Sequence, residues 1–133
     1  MQKLQMDLVV IGAGPAGQKG AIQAAEVGKK VAIVDRLGLL GGACLNQGTI
    51  PSKTLRRAIL DLTGFLHTSY YGGDNRTLKE ITGEDLQQRV GKVIEDTNAE
   101  LTQQCEANGV ATVFGTARFV DAHTIEVLDA DEK

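Results

Sequence analysis

The sequence predicts an α/β fold in which helices pack against a parallel sheet. Two short apolar runs, residues 7–11 and 30–35, have the length and β-branched content of buried strands. Between them, residues 15–27 carry small side chains in a helical pattern, with Gly28 placed to end the helix. Strand, helix and strand in this order form a right-handed parallel crossover unit. The 133 residues are enough for one domain.

Composition excludes several classes of protein. Hydrophobic residues make up 42% of the chain, and the net charge of −3 provides no basic surface for nucleic acid. No apolar run reaches the roughly 18 residues that a membrane span requires, and the first residues do not resemble a secretory signal. Two cysteines, Cys44 and Cys105, are too few for a disulfide scaffold. We therefore expect a cytoplasmic, reducing location.

Two amphipathic helices are predicted after a glycine-rich turn at residues 38–48. The first covers residues 52–66, and a loop at residues 68–77 follows it. The second covers residues 82–109, with Thr82 as its N-cap and Gly109 at its end. The apolar side of the first helix comprises Leu55, Ile59, Leu62 and Leu66. The apolar stripe of the second comprises Leu86, Val90, Val93 or Ile94, Leu101 and Cys105.

Three short β-runs close the chain and predict a small β-meander. They cover residues 110–114, 117–120 and 124–128, and are separated by Gly115 and by a turn at residues 121–123. The final residues, LDADEK, are polar and come directly after a strand. This pattern is typical of a chain that continues, so we expect a piece of a longer protein.

The segment GAGPAG at residues 12–17 matches the phosphate-binding pattern G-x-G-x-x-G. Gly12 would permit the tight turn, Gly14 would let a pyrophosphate approach the backbone, and Gly17 would let the helix pack closely on the strand. The helix that begins at Pro15 and Ala16 would direct its free N–H groups and positive dipole end at the phosphates. The alternative is a glycine-rich turn that binds no ligand and only allows the helix to pack.

Asp35 ends the second predicted strand, about 20 residues beyond the glycine turn, where an acid hydrogen-bonds an adenosine ribose. Its charge would also repel a 2′-phosphate, so the site favours the AMP half of FAD or NAD over NADP. We include the neighbouring Arg36 among the candidate cofactor-binding residues. The motif alone leaves open which dinucleotide is bound.

The segment GGACLNQGTIPSK at residues 41–53 is the most specific motif of the chain. It resembles the active-site segment G-G-x-C-x-N-x-G-C-[IV]-P-S-K of the flavin-dependent pyridine nucleotide–disulfide oxidoreductases, such as lipoamide dehydrogenase, glutathione reductase and mercuric reductase. The resemblance implies that residues 1–133 are the N-terminal part of a Rossmann-like FAD-binding domain. The matching positions are Gly41, Gly42, Cys44, Asn46, Gly48, Ile50, Pro51, Ser52 and Lys53.

Thr49 is the single departure, because the family has a second redox cysteine there. A threonine at this position, with GTIPSK retained, resembles the transhydrogenase branch of the family. That resemblance implies hydride transfer from NADPH through FAD to NAD⁺, a route that needs no dithiol. Loss of the second cysteine would then remove a competing path for electrons to thiols.

The resemblance also implies the roles of individual residues. Lys53 would lie beside the flavin N5 and favour the anionic reduced flavin, and Cys44 would be a remnant or a minor contact. The remaining cofactor-lining positions would be Gly42, Ala43, Gly48, Thr49 and Ser52. Each of these two residues has an alternative interpretation. Cys44 could serve only as a small buried apolar side chain, and Lys53 could be only a solvated charge on the surface. No metal-ligand spacing is present, and His67 and His123 are interpreted as structural.

The resemblance covers nearly the whole chain, yet family members are several times longer. It implies a homodimer for the complete protein, whose nicotinamide-nucleotide-binding and dimerisation domains are absent from this sequence, and we expect the isolated chain to be inactive. Two alternatives are open. One is the FAD domain of a related flavin oxidoreductase that resembles lipoamide dehydrogenase, and the other is a dinucleotide-binding module without catalysis.

Overall fold

A computed structural model describes residues 3–67 and 81–128, without the side chains of residues 64–67. Its main sheet is parallel and has the order β1-β2-β3, formed by β1 (Leu8–Ile11), β2 (Val31–Asp35) and β3 (Ala111–Phe114). The predicted α/β class is confirmed. The loop predicted at residues 68–77 and the polar end of the chain lie outside the described residues.

Strand β2 is the centre of the sheet because it pairs with a parallel strand on each side. All five of its residues are buried, which explains its nearly continuous apolar sequence VAIVD. Helix α1 (Pro15–Glu26) connects β1 to β2 and packs on the sheet through small residues. Gly28 has a φ of 82° just beyond this helix, as expected of a glycine that ends one. The buried core comprises Ala13, Ala21, Val31, Ile33, Leu40, Cys105 and Val110.

The strand β3 differs from the predicted meander. It joins the parallel sheet beside β2, while β4 (Thr116–Asp121) and β5 (Thr124–Leu128) form a separate antiparallel hairpin. A short apolar run has the same local pattern in either arrangement, so its partner depends on how the preceding helices return the chain to the sheet. Gly115 marks the change of sheet, and its N–H donates to the backbone oxygen of Asp35 at 2.9 Å.

Among the described residues, three helices lie between β2 and β3. Helix α2 (Gly42–Asn46) lies within the segment predicted as a glycine-rich turn, and α3 (Thr49–His67) begins three residues earlier than expected. The early start is possible because Pro51 is in the first helical turn, where its missing N–H has no intrahelical partner. Helix α4 (Gly83–Ala107) begins as predicted, because Thr82 and Asp85 form a reciprocal capping box.

The apolar stripe predicted for α4 is confirmed, with its residues half-buried and Cys105 fully buried. The stripe predicted for α3 is wrong at two positions, since Leu55 and Ile59 are 39% and 43% exposed. Leu62 is half-buried, and the side chain of Leu66 lies outside the described part. Ala58 is buried instead, and α3 packs against α4. Within residues 3–67 and 81–128, no helix combines the length and apolarity that crossing a membrane demands.

Candidate dinucleotide site

The turn at residues 12–14 connects the end of β1 to the start of α1. Gly12 has a φ of 100°, which a side chain would strain, and its N–H donates to the oxygen of Val34 at 2.8 Å. Gly14 is the N-cap of α1, and no side chain caps the helix there. The first N–H groups of α1 are therefore left for another acceptor, which is the property of an anion-binding helix terminus.

The other two glycines of the motif have opposite surroundings. A Cβ on Gly14 would meet no atom within 4 Å, so the space above this residue is open. A Cβ on Gly17 would lie 2.1 Å from the oxygen of Gly12 and 3.1 Å from Cγ1 of Val10. Thus Gly17 allows close packing of helix on strand, and Gly14 leaves room for a bound group. Pro15 and Ala16 are exposed at the same helix end.

Asp35 is buried at the end of β2, and both of its carboxylate oxygens hold the backbone. Oδ2 accepts from the N–H of Ala13, and Oδ1 accepts from the N–H of Leu37, each at 2.8 Å. Every carboxylate oxygen has further acceptor capacity, so these bonds leave the predicted contact with a ribose chemically possible. The neighbouring Arg36 is exposed.

Ala13 connects the glycine turn to three parts of the chain. Its N–H donates to Asp35, and its oxygen accepts from the N–H of Gly41 at 2.8 Å and from Nε2 of Gln18 at 2.6 Å. Gln18 is a buried polar residue on α1 that the motif did not predict. The signal available in the sequence was a glutamine on the otherwise small-residue face of the helix.

The Cys44 segment begins directly against the first turn. Gly41 and Gly42 both have positive φ, 96° and 57°, and lead into α2. A Cβ on Gly42 would lie only 2.9 Å from Cα of Gly14. Together with the bond from Gly41 to Ala13, this close approach shows that the two glycine motifs lie directly against each other.

Asn46 braces the Cys44 segment from within. Its Nδ2 donates to the oxygens of Leu40 and Gly42, at 2.9 Å and 3.0 Å. Its Oδ1 accepts from Nδ2 of Asn98, on the long helix α4, at 3.0 Å. Asn46 belongs to the matched motif, but the contribution of Asn98 was not predicted.

The two cysteines are free thiols in different environments. Cys44 is half-buried in α2. Cys105 is fully buried on α4, and burial, with a smaller effect of the Glu106 carboxylate, raises the pKa of its thiol. Cys105 therefore stays protonated and shielded, as a core residue does.

The remaining predicted positions lie on or beside α2 and the start of α3. Ala43, Thr49, Ser52 and Lys53 are exposed there, and Gly48 is half-buried. Gly48 also accepts the N–H of Ser52 through its oxygen at 3.0 Å. His123 lies in the β4–β5 turn, where its N–H donates to the carboxylate of Asp121, and the side chain of His67 is outside the described part. In that part no group of residues has the arrangement of a metal site.

A parallel sheet with a glycine turn between its first strand and first helix is the architecture of dinucleotide-binding proteins. The open space at Gly14, the uncapped helix start and the buried Asp35 fit such a ligand. The family model described as "Pyridine nucleotide-disulphide oxidoreductase" matches residues 6–133, so the chain belongs to this family.

Among individual proteins, the chain is similar to the soluble pyridine nucleotide transhydrogenase of Mycobacterium bovis, with 49% identity over 94% of this chain and 27% of the relative. The protein of the same name from Photorhabdus laumondii is 36% identical over 99% of this chain and 28% of the relative. In three dimensions the chain is similar to the HOCl-induced flavoprotein disulfide reductase RclA from Escherichia coli. The TM-score is 0.67 and the identity 26%, over 90% of this chain and 24% of that one. The chain thus spans about a quarter of the length of these proteins.

Proposed function

We propose that this chain provides the FAD-binding turns of a flavoprotein that transfers hydride from NADPH to NAD⁺. The observation that carries the proposal is the contact between the two glycine motifs, where Gly42 abuts Gly14 and Gly41 donates to Ala13. A dinucleotide whose pyrophosphate lay at the first motif could extend its flavin along the second. FAD would supply the ability to accept hydride from one nicotinamide and deliver it to another.

The first motif would hold the AMP half of the cofactor. Pro15 has no N–H, so the free N–H groups of Ala16 and Gly17 at the start of α1 would bind the pyrophosphate, assisted by the helix dipole. Gly14 would leave the backbone accessible to it. Asp35 would accept a ribose hydroxyl with its remaining lone pairs while its bonds to Ala13 and Leu37 keep the turn fixed. Arg36 would lie near the same ribose.

The second motif would hold the flavin. Gly42, Ala43, Cys44, Gly48, Thr49 and Ser52 would line the ring system, and Lys53 would place its ammonium near the flavin N5. A positive charge there favours the anionic reduced flavin. The support is the order of α2 and α3, which presents these positions one after another, directly beyond the contact with the phosphate turn.

Thr49 favours hydride transfer between nicotinamides over disulfide reduction. It is the first residue of α3 and replaces the second thiol that the family motif carries. The relatives named soluble pyridine nucleotide transhydrogenases support the same choice. We further propose that the complete protein is a homodimer that binds NAD(H) and NADP(H), and that it works in the cytoplasm, where free thiols persist.

The proposal is tested on the complete protein that carries this segment. We expect transfer of hydride from NADPH to an NAD⁺ analogue with a distinguishable absorbance, and no more than background reduction of lipoamide or glutathione disulfide. The opposite pattern would support the disulfide-reductase alternative, which the similarity to RclA favours. Absence of both activities in a protein that retains FAD would favour a module without catalysis.

Restoring the family cysteine tests the assignment of the second motif. We expect Thr49→Cys to form a disulfide with Cys44 under mild oxidation, because this spacing is the redox pair of the family. Cys105 is fully buried and would stay reduced. Thiol titration of this 133-residue chain in denaturant should then find one free thiol, that of Cys105, whereas the reduced variant has three. Retention of all thiols after oxidation would contradict the assignment. Ser52→Cys is the control, because it introduces a cysteine at a different spacing from Cys44.

A further inference from the structure

Asn98 is a polar residue on the apolar stripe of α4. It lies one helical turn beyond Ile94 and almost one turn before Leu101, which are both half-buried, and it is half-buried itself. An apolar side chain at this position would continue the stripe and gain from burial. An asparagine there forgoes that gain, so the hydrogen bonds of its amide call for an explanation.

The amide of Asn98 donates a hydrogen bond to a second amide, that of Asn46. The two hydrogens of Asn46 Nδ2 point at the oxygens of Leu40 and Gly42, which leaves its Oδ1 to accept from Asn98. If the Asn46 amide were rotated by half a turn, its oxygen would face two carbonyl oxygens and its nitrogen would face the Asn98 donor. Asn98 therefore stabilises the one orientation in which Asn46 holds the turn.

The held turn is the point at which the two glycine motifs meet. Leu40 is 2% exposed in the core, and Gly42 approaches Gly14 so closely that a Cβ would fall 2.9 Å from the Gly14 Cα. The two carbonyls bound by Asn46 thus flank the bond from Gly41 to Ala13. A change in the Asn46 amide would move the start of the second motif relative to the first.

We propose that Asn98 is a positioning residue for the flavin-binding turn. It acts from α4 through Asn46 and has no contact with the cofactor itself. This inference rests on the proposed function for its cofactor, whereas the relay of hydrogen bonds is independent of any ligand. It predicts that Asn98 strengthens binding of the flavin half of FAD. Binding of the ADP half, which the first motif would hold, should not depend on Asn98.

The first measurement compares FAD and ADP affinities of the purified chain with those of Asn98→Leu. Leucine continues the apolar stripe, so we expect an unchanged or higher Tm. Loss of the relay should weaken FAD binding by about two- to tenfold and leave ADP binding unchanged. The control is Thr102→Ala, one turn further along α4, which removes an exposed hydroxyl bond to the Asn98 carbonyl. An unchanged ratio of FAD to ADP affinity in Asn98→Leu would overturn the proposal.

The second measurement needs no cofactor. Cys44 lies inside the braced turn, while Cys105 is 1% exposed, so mass spectrometry of chain treated with a thiol reagent can follow Cys44 alone. We expect Asn98→Leu to raise the labelling rate of Cys44 by about two- to tenfold, and Thr102→Ala to leave it unchanged. An unchanged rate in Asn98→Leu would overturn the positioning role.

The two measurements separate this inference from the proposed function. A wild-type chain that binds neither FAD nor ADP would contradict the proposed cofactor role of the chain. The labelling rate of Cys44 would then decide the positioning role of Asn98 by itself.

Discussion

Gly17→Ala is expected to destabilise the chain by at least about 3 kcal/mol and to weaken FAD binding at least about tenfold. The added Cβ would lie 2.1 Å from the oxygen of Gly12, which is backbone and cannot rotate away. Gly12 is also held by its bond to Val34 on the central strand. Relief of the overlap must therefore push α1 away from β1. Denaturant unfolding and FAD titration measure the two effects.

Gly20→Ala is the matched control for this substitution. Gly20 lies on the same helix, about one turn further on, and a Cβ there would meet nothing within 4 Å. Alanine should raise stability by about 0.5–1 kcal/mol through helix propensity, with FAD binding unchanged. Equal unfolding free energies for Gly17→Ala and Gly20→Ala would show that the close contact between helix and turn is not important.

Asp35→Asn is expected to lower stability by about 3 kcal/mol, which corresponds to a fall in Tm of about 10 °C. The carboxylate accepts two backbone N–H groups, and an amide can accept only one, since its NH₂ would face the second donor. Whichever way the amide turns, its NH₂ faces one of the two donors, either the N–H of the exposed Leu37 or the N–H of the fully buried Ala13, which could find no water in exchange. The glycine turn would lose its anchor, and FAD and ADP should both bind more weakly.

Asp7→Asn provides the comparison at the opposite end of the same two strands. The carboxylate of Asp7 accepts the N–H of Lys30 at 2.8 Å and is exposed. In the variant, the asparagine oxygen can accept the same N–H, and its NH₂ group can hydrogen-bond to water. A cost below about 1 kcal/mol is expected, with ligand binding unaffected. If Asp35→Asn were as mild as Asp7→Asn in calorimetry, Asp35 would not be an anchor of the turn.

The fold was predictable where a local pattern determines a local structure. The apolar runs of β1 and β2, the glycine turn between β1 and α1, and the capping residue Thr82 follow from neighbouring residues alone, and all are present. The place of β3 in the parallel sheet was not predictable in this way. It depends on where α3 and α4 return the chain, which is a property of packing between distant segments.

The helix α3 shows a second limit. Its largest apolar residues suggested a buried stripe, but Leu55 and Ile59 are substantially exposed, and the small Ala58 faces the interior. Two helices can pack closely where the side chains between them are small. A search for large apolar side chains does not find such positions. The five-residue α2 is too short to show any helical period, so the sequence could indicate only a glycine-rich turn there.

The candidate site was predictable as two motifs but not as one surface. Each motif is recognised by its glycines, and the positive φ values of Gly12, Gly41 and Gly42 agree with the need for glycine there. The hydrogen bond that joins the motifs runs to the backbone oxygen of Ala13, which any residue could provide. The supporting amides Gln18 and Asn98 were visible only as polar residues on faces of small or apolar side chains.

A ¹⁵N NMR titration of the chain with FAD and, separately, with ADP shows whether the two glycine motifs form one FAD site. We expect ADP to shift the amide signals of residues 12–17, and FAD to shift these together with residues 41–53. Gly14→Val should abolish both sets of shifts, because its side chain would fill the open space at Gly14. FAD-dependent shifts confined to other residues, or no shifts with millimolar FAD, would show that the two motifs do not form an FAD site.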